Sequence, residues 1–143
     1  MKEKQLKQLY QLYIQAFAKQ DIQAVKQCYL MPCTLNTPDR VVLLNNDEVF
    51  DKEFNDIFSL LNSENISGFK TSNASFDIIS EHVVVVAIDW QFINDANNLF
   101  TEFTAIYHLT KTIDGFKIIN VVSQDISQSI NLSHPLIIDM ESE

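Results

Sequence analysis

The sequence predicts an α+β domain: three helices from the N-terminal half packed on a strongly curved, mainly antiparallel sheet. Two observations predict it. Apolar residues recur at helical spacing as far as Leu61, and after Gly68 the period changes to the two-residue alternation of strands. The turns between the later strands are also short and polar (Ser80-Glu81, Asn94 to Asn98, Asp114-Gly115), which implies an antiparallel meander.

Residues 5–18 form the first predicted helix, with Leu6, Leu9, Tyr10, Tyr13 and Phe17 on one face. Asp21 is the predicted N-cap of a second helix, because its carboxylate can accept from the unpaired N–H groups of the first turn. Ile22, Val25 and Tyr29 make the stripe of that helix, and Pro32, which has no N–H, stops it. Short strands follow at about 33–37 and 40–44, separated at Thr37-Pro38-Asp39. Asn46 or Asp47 then caps a third helix carrying Phe50, Phe54, Ile57, Phe58 and Leu61 on one face. Four longer strands are predicted at about 69–80, 82–93, 99–111 and 116–124. The reading is a single domain over residues 1–125 and a C-terminal extension over 126–143, serving as an arm, a lid or a tail.

Strand faces carry more information than strand ends. After His82 the even positions, Val84, Val86, Ile88, Trp90 and Phe92, are all apolar. In the next strand the odd positions are the more apolar set: Leu99, Phe103, Ala105, Tyr107 and Leu109. Both sets are assigned to the face under the helices. The opposite face still carries Val83, Val85, Ala87 and Ile106, with Ile118 and Val122 as further candidates. Three helices cover one side of such a sheet, so a homodimer through the outer sheet face is the favoured expectation. The alternative cover is the extension itself, through Leu136, Ile137 and Ile138.

Composition narrows the function classes. At 143 residues the chain is long enough for one substantial core. No apolar run approaches the ~18 residues of a membrane span, and the N-terminus lacks the apolar stretch of a secretory signal. A cytoplasmic protein is expected, and the three Asn-x-Ser triplets, at Asn65, Asn73 and Asn131, read as chance matches. The 19 carboxylates against 10 Lys and Arg leave a net charge of −9, which disfavours nucleic acid and anionic membranes as partners. With only two glycines, Gly68 and Gly115, no phosphate-cradling loop can form, and no nucleophile elbow is present. His82, His108 and His134 have no ligand spacing, so neither a metal nor a cofactor is expected. Cys28 and Cys33 fit reduced thiols, and their spacing alone does not establish a disulfide.

The segments Tyr13-Ile14, Asp21-Ile22-Gln23-Ala24, Tyr29 and Thr37-Pro38 are similar in type and spacing to the opening of ketosteroid isomerases. The stretch from Leu109 to Ile118 resembles the last hairpin common to the nuclear transport factor 2-like superfamily, which also holds SnoaL-like polyketide cyclases. The order of elements over about residues 5–125 matches as well. The resemblance implies a cone-shaped, cystatin-like fold with a cavity between sheet and helices, often dimerising through the outer sheet face. It also implies where an isomerase keeps its working groups: a phenol and a protonated carboxyl hold an enolate oxygen, and another carboxylate moves the proton. Tyr13 falls at the phenol, Thr37 at the proton-moving carboxylate, and Ala105 near the second carboxyl. Threonine and alanine supply neither acid nor base, so isomerisation by that route is not expected.

Tyr13 and Asp125 are the candidate catalytic residues. Tyr13 competes with a plain role as a core tyrosine, since it lies on the buried stripe of its helix. Asp125 and Ser123 point into the cavity if Ile119 and Val121 do. A carboxylate at an apolar mouth has a raised pKa and can act as a base, although a solvated strand end is the commoner fate. Asp89 lies opposite Trp90 in the alternation and is assigned to an interface or the surface. The candidate ligand pocket is Tyr13, Thr37, Trp90, Phe103, Tyr107 and Ser123. The function read from these residues is an internal apolar pocket for a small hydrophobic ligand; any catalysis would be metal-free acid–base chemistry on a carbonyl compound. The alternative is a non-catalytic dimeric scaffold with a filled interior.

Overall fold

In the computed structural model, which describes residues 2–138, the first helical stripe becomes α1 (Lys2–Lys19). Its buried residues are Leu6, Leu9, Tyr10, Tyr13, Ile14, Ala16 and Phe17, spaced to form one continuous face. The helix ends in a double hydrogen-bonded turn. Asp21 N–H donates to Ala16 O at 2.9 Å and Gln20 N–H to Phe17 O at 3.1 Å, with Gln20 at φ 54°. That turn places Asp21 where it caps α2 (Ile22–Gln27), accepting from Ala24 N–H at 3.1 Å.

The expectation for α2 fails at its C-terminal end. The helix closes at Gln27, and Tyr29 already opens strand β1 (Tyr29–Asn36), so Pro32 lies inside a strand rather than ending a helix. Tyr29 fits both the helical stripe and an alternation through Met31, Cys33 and Leu35. Pairing opposite the distant Ile118 decides in favour of the strand. Pro32 is tolerated because it lies in the irregular stretch between Tyr29 and Thr34, where the ladder to its neighbour is interrupted.

β2 (Val41–Leu44) returns antiparallel to β1 and leads into α3 (Asp47–Ser63). Asn46 caps that helix, its Oδ1 accepting from Val49 N–H at 2.9 Å, and Phe50, Phe54, Phe58 and Leu61 are buried. The predicted meander follows as β3 (Ile66–Ile78), β4 (Val83–Asn94), β5 (Leu99–Thr112) and β6 (Gly115–Asp125). With the short β7 (His134–Pro135) the sheet order is β2-β1-β6-β5-β4-β3-β7. Every pairing is antiparallel except that of β1 with β6, which is parallel, and the open sheet curves under the three helices.

Val84, Val86, Ile88 and Trp90 enter the core with Ala105, Tyr107 and Leu109, as alternation assigned. Leu99, assigned to the same face, does not: the register shifts between Phe92 and Ile93, which sets it opposite Ile93, and it is exposed. In β6 the alternation breaks. His108 lies opposite Asn120 and Leu109 opposite Ile118, which leaves Ile119 as the extra residue of a bulge. Ile118, a candidate for the outer face, is therefore fully buried in the core, and Val121 joins it there.

Beyond β6 the chain makes a turn of 3-10 helix at Ile126–Gln128 and crosses the outer face as a strap. Ser129 Oγ donates to Asp89 Oδ2 at 2.6 Å and Leu132 N–H to Ser75 Oγ at 2.8 Å, before Pro135 pairs opposite Ser75. Asp89, expected at the surface or an interface, is instead 7% exposed beneath this strap. Leu136 and Ile138 join the main core and Ile137 faces outward. Residues 139–143 of the extension lie outside the described residues. Val85, Ile106 and Val122 remain half-buried on the outer face. Among the described residues no helix is long and apolar enough to cross a membrane.

Replacing Ser129 with Ala removes the donor to a buried carboxylate. We expect Ser129→Ala to cost roughly 1–3 kcal/mol in urea denaturation. A loss no larger than that of an ordinary surface substitution would show the strap to be loosely held.

Candidate functional site

Between α1, α3 and the sheet lies a cavity of about 260 Å³. α1 contributes Tyr13, Ile14 and Phe17, α3 contributes Glu53, Phe54 and Ile57, and β1 contributes Tyr29, Leu35 and Asn36. The sheet floor includes Phe69, Trp90, Phe92, Phe103, Tyr107 and Val121. Flat rings meeting edge to face leave gaps that flexible chains would fill: Phe17 stands at 87° to Phe54, 86° to Phe58 and 73° to Phe69. Ala105, at 1% exposure, adds a short side chain to the wall.

All six residues expected to form the pocket border this cavity: Tyr13, Thr37, Trp90, Phe103, Tyr107 and Ser123. Ser123 gets there through the β6 bulge, which carries Val121 and Ser123 to the helix side together. Asp125 is not among the bordering residues. It is an exposed cap of the 3-10 turn, and hydrogen bonds from the Ser127 side chain and from Ser127 N–H, the latter at 2.9 Å, lower its pKa. Asp125 is thus the solvated strand-end residue rather than a base at an apolar mouth, because it meets water and donors instead of an apolar wall.

The polar atoms inside form two hydrogen-bonded pairs. Trp90 Nε1–H donates to Tyr107 Oη at 2.8 Å, and Tyr13 Oη lies 3.0 Å from Tyr29 Oη, where either hydroxyl can donate. The rings of Tyr13 and Tyr107 bring the pairs together edge to face, with centroids 6.2 Å apart. Burial raises the pKa of Tyr13, Tyr29 and Tyr107 well above the usual phenol value, so these phenols are neutral at physiological pH. They can hold an oxygen; they cannot serve as a resting base.

The charged groups sit at the mouth. Thr37 and Arg40 close the β1–β2 turn with reciprocal backbone bonds, Thr37 N–H to Arg40 O at 2.9 Å and Arg40 N–H to Thr37 O at 3.4 Å. The Arg40 guanidinium lies 3.6 Å from Glu53. Asn36 is already committed, donating to Asn120 Oδ1 at 2.6 Å and to Val121 O at 3.1 Å. Sequence reasoning missed Tyr29, Arg40 and Glu53. The alternation through Cys33 and Leu35 could have found Tyr29, but no local pattern marks Arg40 or Glu53 as neighbours.

Cys28 and Cys33 are both free and buried, and burial pushes each thiol up to about 11. Among the described residues no group of three or more His, Cys, Asp or Glu is arranged to hold a metal ion. The folded chain keeps its thiol and phenol protons to higher pH than the unfolded chain does. The unfolded chain therefore binds fewer protons above the ordinary thiol value of 9.0, and stability falls as pH rises from there through about 11. Urea midpoints measured across that range should decline, and a Cys28→Ala, Cys33→Ala chain should lose part of the slope. A flat profile would contradict the burial of these groups.

Solved structures share this architecture. An NTF-2 like protein of unknown function from Shewanella oneidensis MR-1 superimposes with a TM-score of 0.71 at 16% identity, over 87% of this chain and 100% of its own. An NTF2-like protein with a cystatin-like fold from Novosphingobium aromaticivorans gives 0.74 at 7% identity, over 90% and 84%. A ketosteroid isomerase-like protein from Erwinia carotovora atroseptica SCRI1043 gives 0.61 at 17% identity, over 82% and 91%. Likeness at these identities concerns the fold alone. No curated protein matches the sequence. The family described as NTF2-like protein (DUF6841) matches residues 2–126, from α1 through the end of β6. With the cystatin-like fold of its structural neighbours and a family match over most of its length, the chain belongs to the NTF2-like family DUF6841.

Proposed function

We propose that this protein binds a small, mostly apolar molecule carrying a carbonyl or hydroxyl oxygen. The observation that carries the reading is the two neutral hydrogen-bonded pairs, Trp90–Tyr107 and Tyr13–Tyr29, set in a cavity whose remaining walls are largely aromatic and aliphatic. Apolar walls release water to a ring-sized ligand, and a few fixed polar groups orient it. A hydrogen bond to the ligand oxygen is strengthened where the surroundings are dry. The cavity of about 260 Å³ lies just under the ~300 Å³ at which pockets for drug-sized molecules begin, which favours a ligand of one or two rings.

Turnover of the ketosteroid isomerase kind lacks support. Thr37 and Ala105 stand at the two carboxyl positions and neither side chain ionises. Among the described residues Glu53 is the one carboxylate bordering the cavity, and it is paired with Arg40 at the mouth. The open interior argues against a scaffold with a filled cavity. We further propose that two copies associate through the outer sheet face, using the half-buried Val85, Ile106 and Val122 that the strap leaves free.

A naphthalene-sized alcohol such as 2-naphthol at about a hundred times its Kd should stabilise the fold by ~2.7 kcal/mol, read as a rise in Tm. Ala105→Leu, which extends a side chain into the void, should abolish that rise while leaving the unliganded chain folded. A flat response of the wild type to 2-naphthol and to ring ketones of similar size would refute the binding reading. For association, sedimentation should give a dimer that Ile106→Glu converts to a monomer. A wild-type monomer at micromolar concentration would exclude the second copy.

A further inference from the structure

We propose that the ligand is a monoanion: an apolar ring system bearing a carboxylate, with the rings inside and the carboxylate at the mouth against Arg40. This rests on the binding reading above and adds the charge of the ligand and the residue that selects it.

Arg40 is the only arginine in the chain, whose other basic residues are lysines, and it borders the cavity of a protein with net charge −9. A guanidinium offers a planar fork of donors that matches a carboxylate, which a lysine does not. Among the described residues the fork is weakly held: its one ion-pair contact is Nη2 to Glu53 Oε1 at 3.6 Å, beyond the ~3.2 Å of a good hydrogen bond. The Arg40 side chain is 64% exposed while that of Glu53 is 16% exposed. A carboxylate can therefore approach the guanidinium from the solvent side, with Glu53 behind it.

Position is set by the backbone. The Thr37–Arg40 turn is closed by two hydrogen bonds and continues β1, which Asn36 ties to β6 through Asn120 and Val121. Arg40 thus borders the same cavity as Tyr29 and the aromatic walls. Glu53 also sets the charge of the ligand. Among the described residues bordering the cavity there is one cation and one carboxylate, and Asp39 lies in the same turn as Arg40, so a dianion such as a phosphate monoester meets more repulsion than a monoanion does.

The test compares three probes on the full chain by calorimetry: 6-hydroxy-2-naphthoate, its neutral carboxamide, and 2-naphthol. The acid should bind the wild type roughly five- to tenfold tighter than the amide, the range of a charge-assisted bond at a partly exposed site. Added salt should shrink that preference. Arg40→Gln should bring the acid to the level of the amide and leave the amide and 2-naphthol unchanged. Arg40→Lys, keeping the charge without the fork, should retain part of the preference. Equal binding of acid and amide by the wild type, or an acid preference that survives in Arg40→Gln, would overturn the proposal while 2-naphthol binding kept the cavity reading intact. Failure of all three probes would overturn both.

Discussion

The parallel pairing of β1 with β6 joins the N-terminal half of the chain to the meander. Leu35 lies opposite Val121, Ile118 N–H donates to Cys28 O at 2.9 Å, and Thr34 Oγ1 donates to Asn120 Oδ1 at 2.6 Å. Through this seam Tyr29 reaches the interior and the Thr37–Arg40 turn reaches the rim of the cavity. A parallel neighbour requires a long connection, and here the connection includes β2, α3 and β3 to β5. The helices are thus enclosed between strands that are far apart in sequence, and the space beneath them becomes a cavity rather than an open groove.

The interior reconciles two opposing demands. Buried hydroxyls cost about 1–3 kcal/mol each when unpaired, and aromatic rings bury much apolar area without fitting a tapering space. Pairing Trp90 with Tyr107 and Tyr13 with Tyr29 gives each of these polar groups a partner, and burial keeps the phenols neutral. The compensation is incomplete nearby: among the described residues the buried Tyr10 Oη has no hydrogen-bond partner. The consequence for function is a site with donors and no resting base, in which binding and orientation need no ionisable group.

The outer face shows another solution. Asp89 and Ser75 lie in a polar part of the sheet surface, Asp89 opposite Asn73 and Thr104, and the chain covers them with its own C-terminal strap. Ser129 and the Leu132 N–H supply the hydrogen bonds, and Leu136 anchors the strap in the main core. The strap shields one end of the face and leaves Val85, Ile106 and Val122 to whatever packs there.

Much of this architecture is legible in local pattern. The stripe through Leu6, Tyr13 and Phe17, the caps at Asp21 and Asn46, and the alternation through Val84, Val86, Ile88 and Trp90 each depend on neighbours a few residues away, and periodicity reports such neighbours. The sequence by itself therefore determined the three helices, the meander and the aromatic face that lines the interior. Only the tertiary structure decided that Tyr29 begins a strand, that the bulge at Ile119 sends Ile118 and Val121 to the same side, and that Asp89 lies beneath the strap. It alone paired Tyr13 with Tyr29 and Trp90 with Tyr107, and set Arg40 beside Glu53. The physical reason is common to all of these: each depends on a pairing between segments far apart along the chain, whose energy leaves no repeat in either segment.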